Sequence, residues 1–271
     1  MRRLSLSLLV LLLSVVNAAR AQSVGIGYYD VDGLYDTIPS KFYDDSRYTP
    51  SGSYHWTGER YRRKVQNIAA VIDSMALDIV GLYGVEHEGV VRDIVKCCTL
   101  DYTFIHCTRN SFDGQDFALL YFGDKLFVEG LESVQSGRNM IAVEATLVDD
   151  TPITIILSRG GSDIHAYLSE EDHEELVVIL GKLYQDEIDK IGYENLLLDK
   201  ERQGEGNYLS ARGYVMHDRV ATNDVSKILK SGVYITPWLL SPDQQSPLPT
   251  YLKSHYKGGY SNYLPLFVYL K

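Results

Sequence analysis

Gly258-Gly259-Tyr260-Ser261-Asn262-Tyr263-Leu264-Pro265 runs directly into Leu266-Phe267-Val268-Tyr269-Leu270. The apolar run reads as a final strand, and the polar stretch before it sets Asn262 and Tyr263 at that strand's entrance. Working outward, residues 24–29, 78–83, 102–107, 116–122, 139–147 and 153–157 read as strands. Residues 195–198, 214–222 and 233–238 are later candidates. Thr57 is an expected N-cap for a helix reaching Met75, with Tyr61, Val65, Ile68, Ala69, Ile72 and Met75 at helical spacing. A second helix is expected over 90–97. Ser169 with Asp172 is expected to open a long third helix carrying Leu176, Ile179, Leu180 and Leu183 on one face. Residues 39–56 form a polar loop rich in Ser, Asp and Tyr, and 241–249 a Pro-rich one. Strands interspersed with a few helices imply an α/β or α+β fold with a mixed sheet.

Residues 1–21 read as a signal peptide rather than as part of the fold. Arg2 and Arg3 precede an apolar core from Leu4 to Val16, and Ala19-Arg20-Ala21 fits a small-x-small cleavage site before Gln22. The apolar core is too short for a membrane span. Residues 22–271 then form one domain, expected to be periplasmic or secreted. The formal net charge of −10 argues against a broad nucleic-acid surface, because backbone binding draws on Lys and Arg. Arg60, Arg62, Arg63 and Lys64 cluster on the first helix and read as a solvated face. Cys97, Cys98 and Cys107 make an odd count, so at least one thiol is free or intermolecular, while one short-loop bridge stays open. Seven histidines include no His-x-x-x-His spacing. His217-Asp218 and Glu86-His87 are the suggestive neighbours, but adjacent strand residues face opposite ways, so neither pair is expected to form a dyad.

Several segments, in order, resemble one family. The closing stretch is similar to the Gly-Tyr-Ser-Asp-His-Leu-Pro signature of the endonuclease/exonuclease/phosphatase family, the DNase I-like metal-dependent phosphodiesterases. Tyr29-Asp30-Val31-Asp32-Gly33-Leu34-Tyr35-Asp36 resembles the opening Tyr-Asn-Val-Glu-Asn-Leu-Phe-Asp of an exported branch found in Bacteroidota-type bacteria. His55-Trp56-Thr57-Gly58-Glu59-Arg60-Tyr61 fits that branch's His-Trp-Thr-x-Glu-Arg-Tyr, and Asp116-Phe117-Ala118-Leu119-Leu120-Tyr121 its Asp-Val-Ala-Leu-Leu-Tyr. Ser158-Arg159-Gly160-Gly161 resembles the end of its Asn-His-Trp-Pro-Ser-Arg segment. The resemblance implies a four-layer sandwich, two mixed β-sheets face to face flanked by helices, with a Mg²⁺-dependent site at one edge.

Position by position, the resemblance also implies that this site is dismantled. Gly84 stands at the metal-binding Glu of Gly-Leu-x-Glu-Val-Glu-Asn; Glu86 survives two residues on, expected on the same strand face. Asp30 replaces an Asn and is a tolerable Mg²⁺ ligand. Thr154-Ile155 replace an Asn-His pair, and Asp113 replaces an Arg. The Gly-Asp-Phe-Asn motif has no clear match, and Asp199 is the candidate stand-in. Asp218-Arg219-Val220 resembles the Asp-Gln-Ile strand. Asn262 and Tyr263 replace the Asp-His pair, and a phenol with a reference pKa of about 10 is a poor base near neutrality. The remnant site positions are therefore Asp30, Glu86, Asp116, Asp199, Asp218, Asn262 and Tyr263, with Asp30 and Glu86 as the metal-ligand candidates.

The reading that follows is an exported pseudoenzyme, a binding scaffold with no intact catalytic set and no cofactor expected. Its partner is expected to be a protein or small ligand rather than nucleic acid, and its state a monomer. Loop tyrosines Tyr43, Tyr48, Tyr54, Tyr251, Tyr256 and Tyr260 offer either a recognition surface or ordinary loop packing. The alternative is a divergent phosphodiesterase or endonuclease using Mg²⁺.

Overall fold

A computed structural model describes residues 23–109, 111–161, 163–170 and 173–271. The expected signal peptide at 1–21 and Asp172 lie outside the described residues. The strands are β1 (Gly25–Leu34), β2 (Ile79–Val85), β3 (Thr103–Cys107), β4 (Asp116–Tyr121), β5 (Leu126–Phe127), β6 (Val134–Ser136), β7 (Met140–Leu147), β8 (Pro152–Arg159) and β9 (Leu176–Lys182). They continue with β10 (Glu194–Asn195), β11 (Tyr208–Ser210), β12 (Gly213–Val215), β13 (Asp218–Thr222), β14 (Ile228–Val233), β15 (Tyr251–Leu252), β16 (His255–Tyr256) and β17 (Leu266–Leu270). The helices are α1 (Gly58–Met75), α2 (Glu88–Cys97), α3 (Asp163–Glu170), α4 (Gln185–Ile191) and α5 (Leu198–Arg202). Among the described residues, no helix is long and apolar enough to cross a membrane.

One sheet runs β14-β17-β1-β2-β4-β3; the other runs β10-β13-β9-β8-β7-β5, with β6 also on β7. The pairs β1–β2 and β8–β9 are parallel, and the other pairs in these two sheets are antiparallel. Alternation along each strand sorts side chains into three apolar layers. Ile26, Tyr28, Ile155, Leu157, Val178 and Val220 meet between the sheets. Tyr29, Val31, Val80 and Leu82 pack under Val65, Ile68 and Ile72 of α1. Met140, Ile156 and Ile179 pack under Ile164 of α3 and Ile188 of α4. This is the four-layer α/β/β/α sandwich that the family resemblance implies.

The helix α1 starts where the sequence indicates, with the Thr57 side chain accepting from the Arg60 N–H. Several expectations change. The long third helix is absent: α3 ends at Glu170, and Leu176, Ile179 and Leu180 lie in strand β9, which is buried on both faces. A strand covered on both sides carries no polar alternation, so its apolar run also matches a helical stripe. Residues 195–198 form the end of short β10 and the start of α5 rather than one strand, and 233–238 ends β14 and enters a 3₁₀ turn. The three cysteines are free thiols, with no bridge among them.

Lys64 is not on a solvated face. It is 2% exposed, and its Nζ donates to the carbonyls of Asp32 (3.0 Å) and Gly33 (2.8 Å). These two residues form a left-handed kink within β1, with φ of 55° and 68°, where the β1–β2 register shifts. Burial pulls the ammonium pKa down to about 8, against the upward pull of Asp32 and Asp30. Lys64→Met should lower the unfolding free energy by about 1–3 kcal/mol, because two buried carbonyls lose their donor. Urea denaturation measures this, and an unchanged midpoint would contradict it.

The loop tyrosines pack largely on one another. Tyr35 stacks on Tyr48 with centroids 4.2 Å apart, Tyr54 on Tyr251 at 4.3 Å, and Arg60 lies 4.4 Å over Tyr256. Arg60 also donates to the carbonyls of Tyr54 and His55. These contacts fix the 39–56 loop to the β15–β16 hairpin, favouring the loop-packing reading for Tyr48, Tyr54, Tyr251 and Tyr256.

Candidate functional site

Because Asp30 lies two residues after Tyr28 and so shares its strand face, its carboxylate faces the second sheet. There Oδ2 lies 3.0 Å from Nη1 of Arg159, the last residue of β8, and Oδ1 accepts the Asp32 N–H at 2.9 Å. The closing stretch arrives from the other side. Ser261 Oγ donates to the Asp30 carbonyl at 2.7 Å, and Asn262 Nδ2 donates to Asp32 Oδ2 at 2.5 Å. Asp218, buried at the start of β13, accepts from Asn207 Nδ2 at 2.7 Å. Asp30, Asp218, Asn262 and Tyr263 thus gather at one end of the sandwich, together with Asp32, Arg159 and Lys64.

Three carboxylates meet two cations here. Burial pushes the Asp30 carboxyl well above the usual carboxylate range; Arg159 opposes this, while Asp218 and Asp32 add to it. Burial, with Asp30, Asp32 and Asp218, also pushes the Tyr263 hydroxyl far above its ordinary value, so it keeps its proton at neutrality. Its ring stacks on Tyr208 at 5.1 Å and leans on His217 at 4.8 Å.

Gly84 lies in the break between the Tyr83 and Val85 registers, with φ of +90°. A Cβ there would sit 3.5 Å from Asp30 Oδ1 and 3.1 Å from the Gly33 nitrogen. Position 84 therefore aims at Asp30, as a ligand position should, but on backbone that favours glycine. Glu86 is not on that face. Beyond the end of β2 it turns away, accepting from the Asp36 N–H at 2.6 Å and Tyr43 Oη at 2.8 Å. Asp116 lies one strand further on, accepting from the Arg109 N–H at 2.8 Å, with His106 Nε2 3.1 Å away. Between Asp116 and Asp30 stands Tyr83, whose hydroxyl takes Arg109 Nη1 at 2.8 Å and whose ring carries Arg159 at 4.1 Å.

Asp199 is exposed on α5, 3.4 Å from Arg202, and does not join the cluster. Ile155 lies in the inter-sheet core, four residues before the end of β8, so Arg159 rather than Ile155 faces Asp30. Asp113 is held in its own turn by Ser111 Oγ and the Gln115 N–H. His217 and Asp218 do meet, Nδ1 to Oδ1 at 3.1 Å, because His217 precedes the strand and escapes its alternation. His87 likewise stands outside β2, as the N-cap of α2, with Nε2 3.8 Å from Glu86.

Sequence reading missed Lys182. Lys182 closes β9 and pairs in register with Arg159 on one side and Asp218 on the other. The helical reading of the segment hid that strand end.

A sequence model of the endonuclease/exonuclease/phosphatase family matches residues 25–151. Solved structures of the same fold extend over 92% of the chain. Over residues 25–151 the sequence matches the endonuclease/exonuclease/phosphatase family, and the fold of the chain is the one these solved structures share. A Bacteroides thetaiotaomicron mannosyl-6-phosphatase superposes with a TM-score of 0.58 at 11% identity, over 92% of this chain and 99% of that one. An endonuclease/exonuclease/phosphatase family protein from the same species gives 0.57 at 12%, over 92% and 95%. Humanized D. rerio TDP2 gives 0.56 at 12%, over 92% and 99%. No curated protein matches the sequence.

A Mg²⁺ ion needs several oxygens in near-octahedral geometry. The residues present do not fit one. Asp30 is taken up by a guanidinium and a backbone N–H, Gly84 offers no side chain, and Asn262 directs its amide nitrogen at Asp32.

The Asp30 shift has a definite sign. Above about pH 4 an unfolded Asp has lost the proton that folded Asp30 still holds, so this group's contribution to stability falls as pH rises towards neutrality. Asp30→Asn should flatten that slope when melting is followed from pH 4 to 8. A wild-type slope equal to or less steep than the variant's would show that the Arg159 pair outweighs burial.

Proposed function

We propose that this endonuclease/exonuclease/phosphatase-family protein acts outside the cytoplasm as a binding scaffold without phosphodiesterase turnover. The observation carrying the reading is the Asp30–Arg159 pair. The carboxylate at the family's metal position is occupied by a cation belonging to the chain itself. The glycine backbone at position 84 and a Tyr263 hydroxyl that keeps its proton support it. Each removes a different requirement of metal-assisted hydrolysis: ligand and proton transfer. Export rests on the leader read at residues 1–21.

The divergent-hydrolase alternative has one specific observation in its favour. His217 is hydrogen-bonded to buried Asp218 and packed against Tyr263, giving an imidazole–carboxylate pair beside the position where the family's His is expected. A His so held is a competent general base.

Purified protein should release no more product than a protein-free control from plasmid DNA, RNA or bis-p-nitrophenyl phosphate with Mg²⁺, Mn²⁺ or Ca²⁺. Combined Gly84→Glu, Asn262→Asp and Tyr263→His should restore a trace at most, since Arg159 and Lys182 remain. Turnover by the unmodified protein that EDTA abolishes and Asp30→Ala removes would overturn the scaffold reading. Loss of that turnover in His217→Ala would establish the alternative.

A further inference from the structure

A cavity of about 820 Å³ lies between the 36–43 segment and the 111–114 turn, with Glu86, His87 and Asp116 in its wall and none of the Asp30 cluster lining it. Its volume is that of a small-molecule site. Among the described residues, the three most exposed large hydrophobic side chains all line it: Phe42 at 92%, Phe112 at 87% and Ile38 at 70%. Exposed apolar side chains scattered singly are ordinary, but convergence at one cavity marks a binding surface. Its lining also includes three carboxylates, Asp36, Glu86 and Asp116, against one lysine, Lys41.

Asp36, Glu86 and His87 each place one ligand atom within 4.8 Å of the others, a spacing compatible with a metal. The imidazole opposes that use. Its Nδ1 accepts the Gly89 N–H at 3.0 Å, so the neutral ring carries its proton on Nε2, the atom facing Asp36 Oδ2 at 3.3 Å. The nitrogen a metal would need is already a donor. An anion is disfavoured by the three carboxylates, and a purely apolar ligand would desolvate them without compensation.

We infer that this cavity binds a small organic cation, an alkyl- or arylalkylammonium whose apolar body lies among Ile38, Phe42 and Phe112 and whose ammonium meets Asp36 and Glu86. The inference rests on the binding reading above and deepens it. The fit is one of charge and shape together. The carboxylates are fixed by Tyr43 Oη, the Asp36 N–H and the Ile38 N–H, and each retains acceptor capacity for an N⁺–H donor.

Calorimetric titration with phenethylammonium, 2-phenylethanol and phenylacetate compares one body size under three charges. The ammonium should bind about tenfold or more tightly than the alcohol, a margin expected of a charge-assisted hydrogen bond, and phenylacetate should not bind. Phe42→Ala and Phe112→Ala should each weaken the ammonium severalfold. Asp36→Asn should erase the preference for the ammonium while leaving alcohol binding in place. Glu86→Gln serves the same purpose if Asp36→Asn fails to melt cooperatively. Equal binding of the three probes, no ammonium binding at millimolar concentration, or phenylalanine variants that bind like the wild type would overturn the inference. The same preparations are assayed for phosphodiester hydrolysis. Turnover with the ammonium preference intact defeats only the scaffold reading, and a missing preference without turnover defeats only the cavity inference.

Discussion

The kink at Asp32-Gly33 depends on one buried ammonium. A left-handed pair inside a strand turns two carbonyls out of the ladder, and buried carbonyls must find donors. Lys64 supplies both, from a helix whose apolar stripe fixes its distance from β1. The kink in turn lets Asp32 face Asn262 while Asp30 still faces the second sheet. Ser261 ties the closing stretch to the Asp30 carbonyl, so the last segment of the chain is docked on the first strand by the same feature. Without the ammonium, the geometry of both acids and of the loop carrying Tyr263 would lack its foundation.

Much of this architecture was legible in the sequence because local rules and tertiary demands agreed there. The strands β2, β4, β7 and β8 were located to within a few residues, and Thr57 caps α1 as its hydroxyl suggests. The segment 176–183 failed because burial on both faces erases the period that separates strand from helix. Its β-branched Val177, Val178 and Ile179 were the better evidence. Lys64 was misjudged, and the pairing of Arg159 went unseen, for a different reason. A charge in a helix or at a strand end looks solvated until the partner that desolvates it is known, and those partners lie 31 to 129 residues away. The pairs His217–Asp218 and Glu86–His87 were set aside by a strand rule that stops applying one residue beyond the strand.

The electrostatics of the cluster bear on what it can do. Arg159 is largely withdrawn from water, held by Asp30 and lying flat on Tyr83. Removing one partner of such a pair leaves the other charge buried and unpaired, which is costly. A phosphate entering here would have to compete with Asp30 for the guanidinium while facing Asp32 and Asp218. The family's metal ion would ordinarily offset that acidic charge. In this chain the Arg159 guanidinium stands beside Asp30 at that place.

Tyr83 is held between two arginines. On one face of its ring lies Arg159, and its hydroxyl is fixed by Arg109, which in turn caps Asp116 through its backbone N–H. On the Asp30 side, Asp30 pairs with Arg159, and the Lys64 ammonium lies against the carbonyls of Asp32 and Gly33. The carboxylates on the Glu86 side are met by backbone N–H groups, a tyrosine hydroxyl and an imidazole nitrogen. Hydrogen bonds of that kind orient an anion without cancelling it. Acids with no side-chain guanidinium on them thus line the cavity with the exposed phenylalanines, whereas Asp30 carries one.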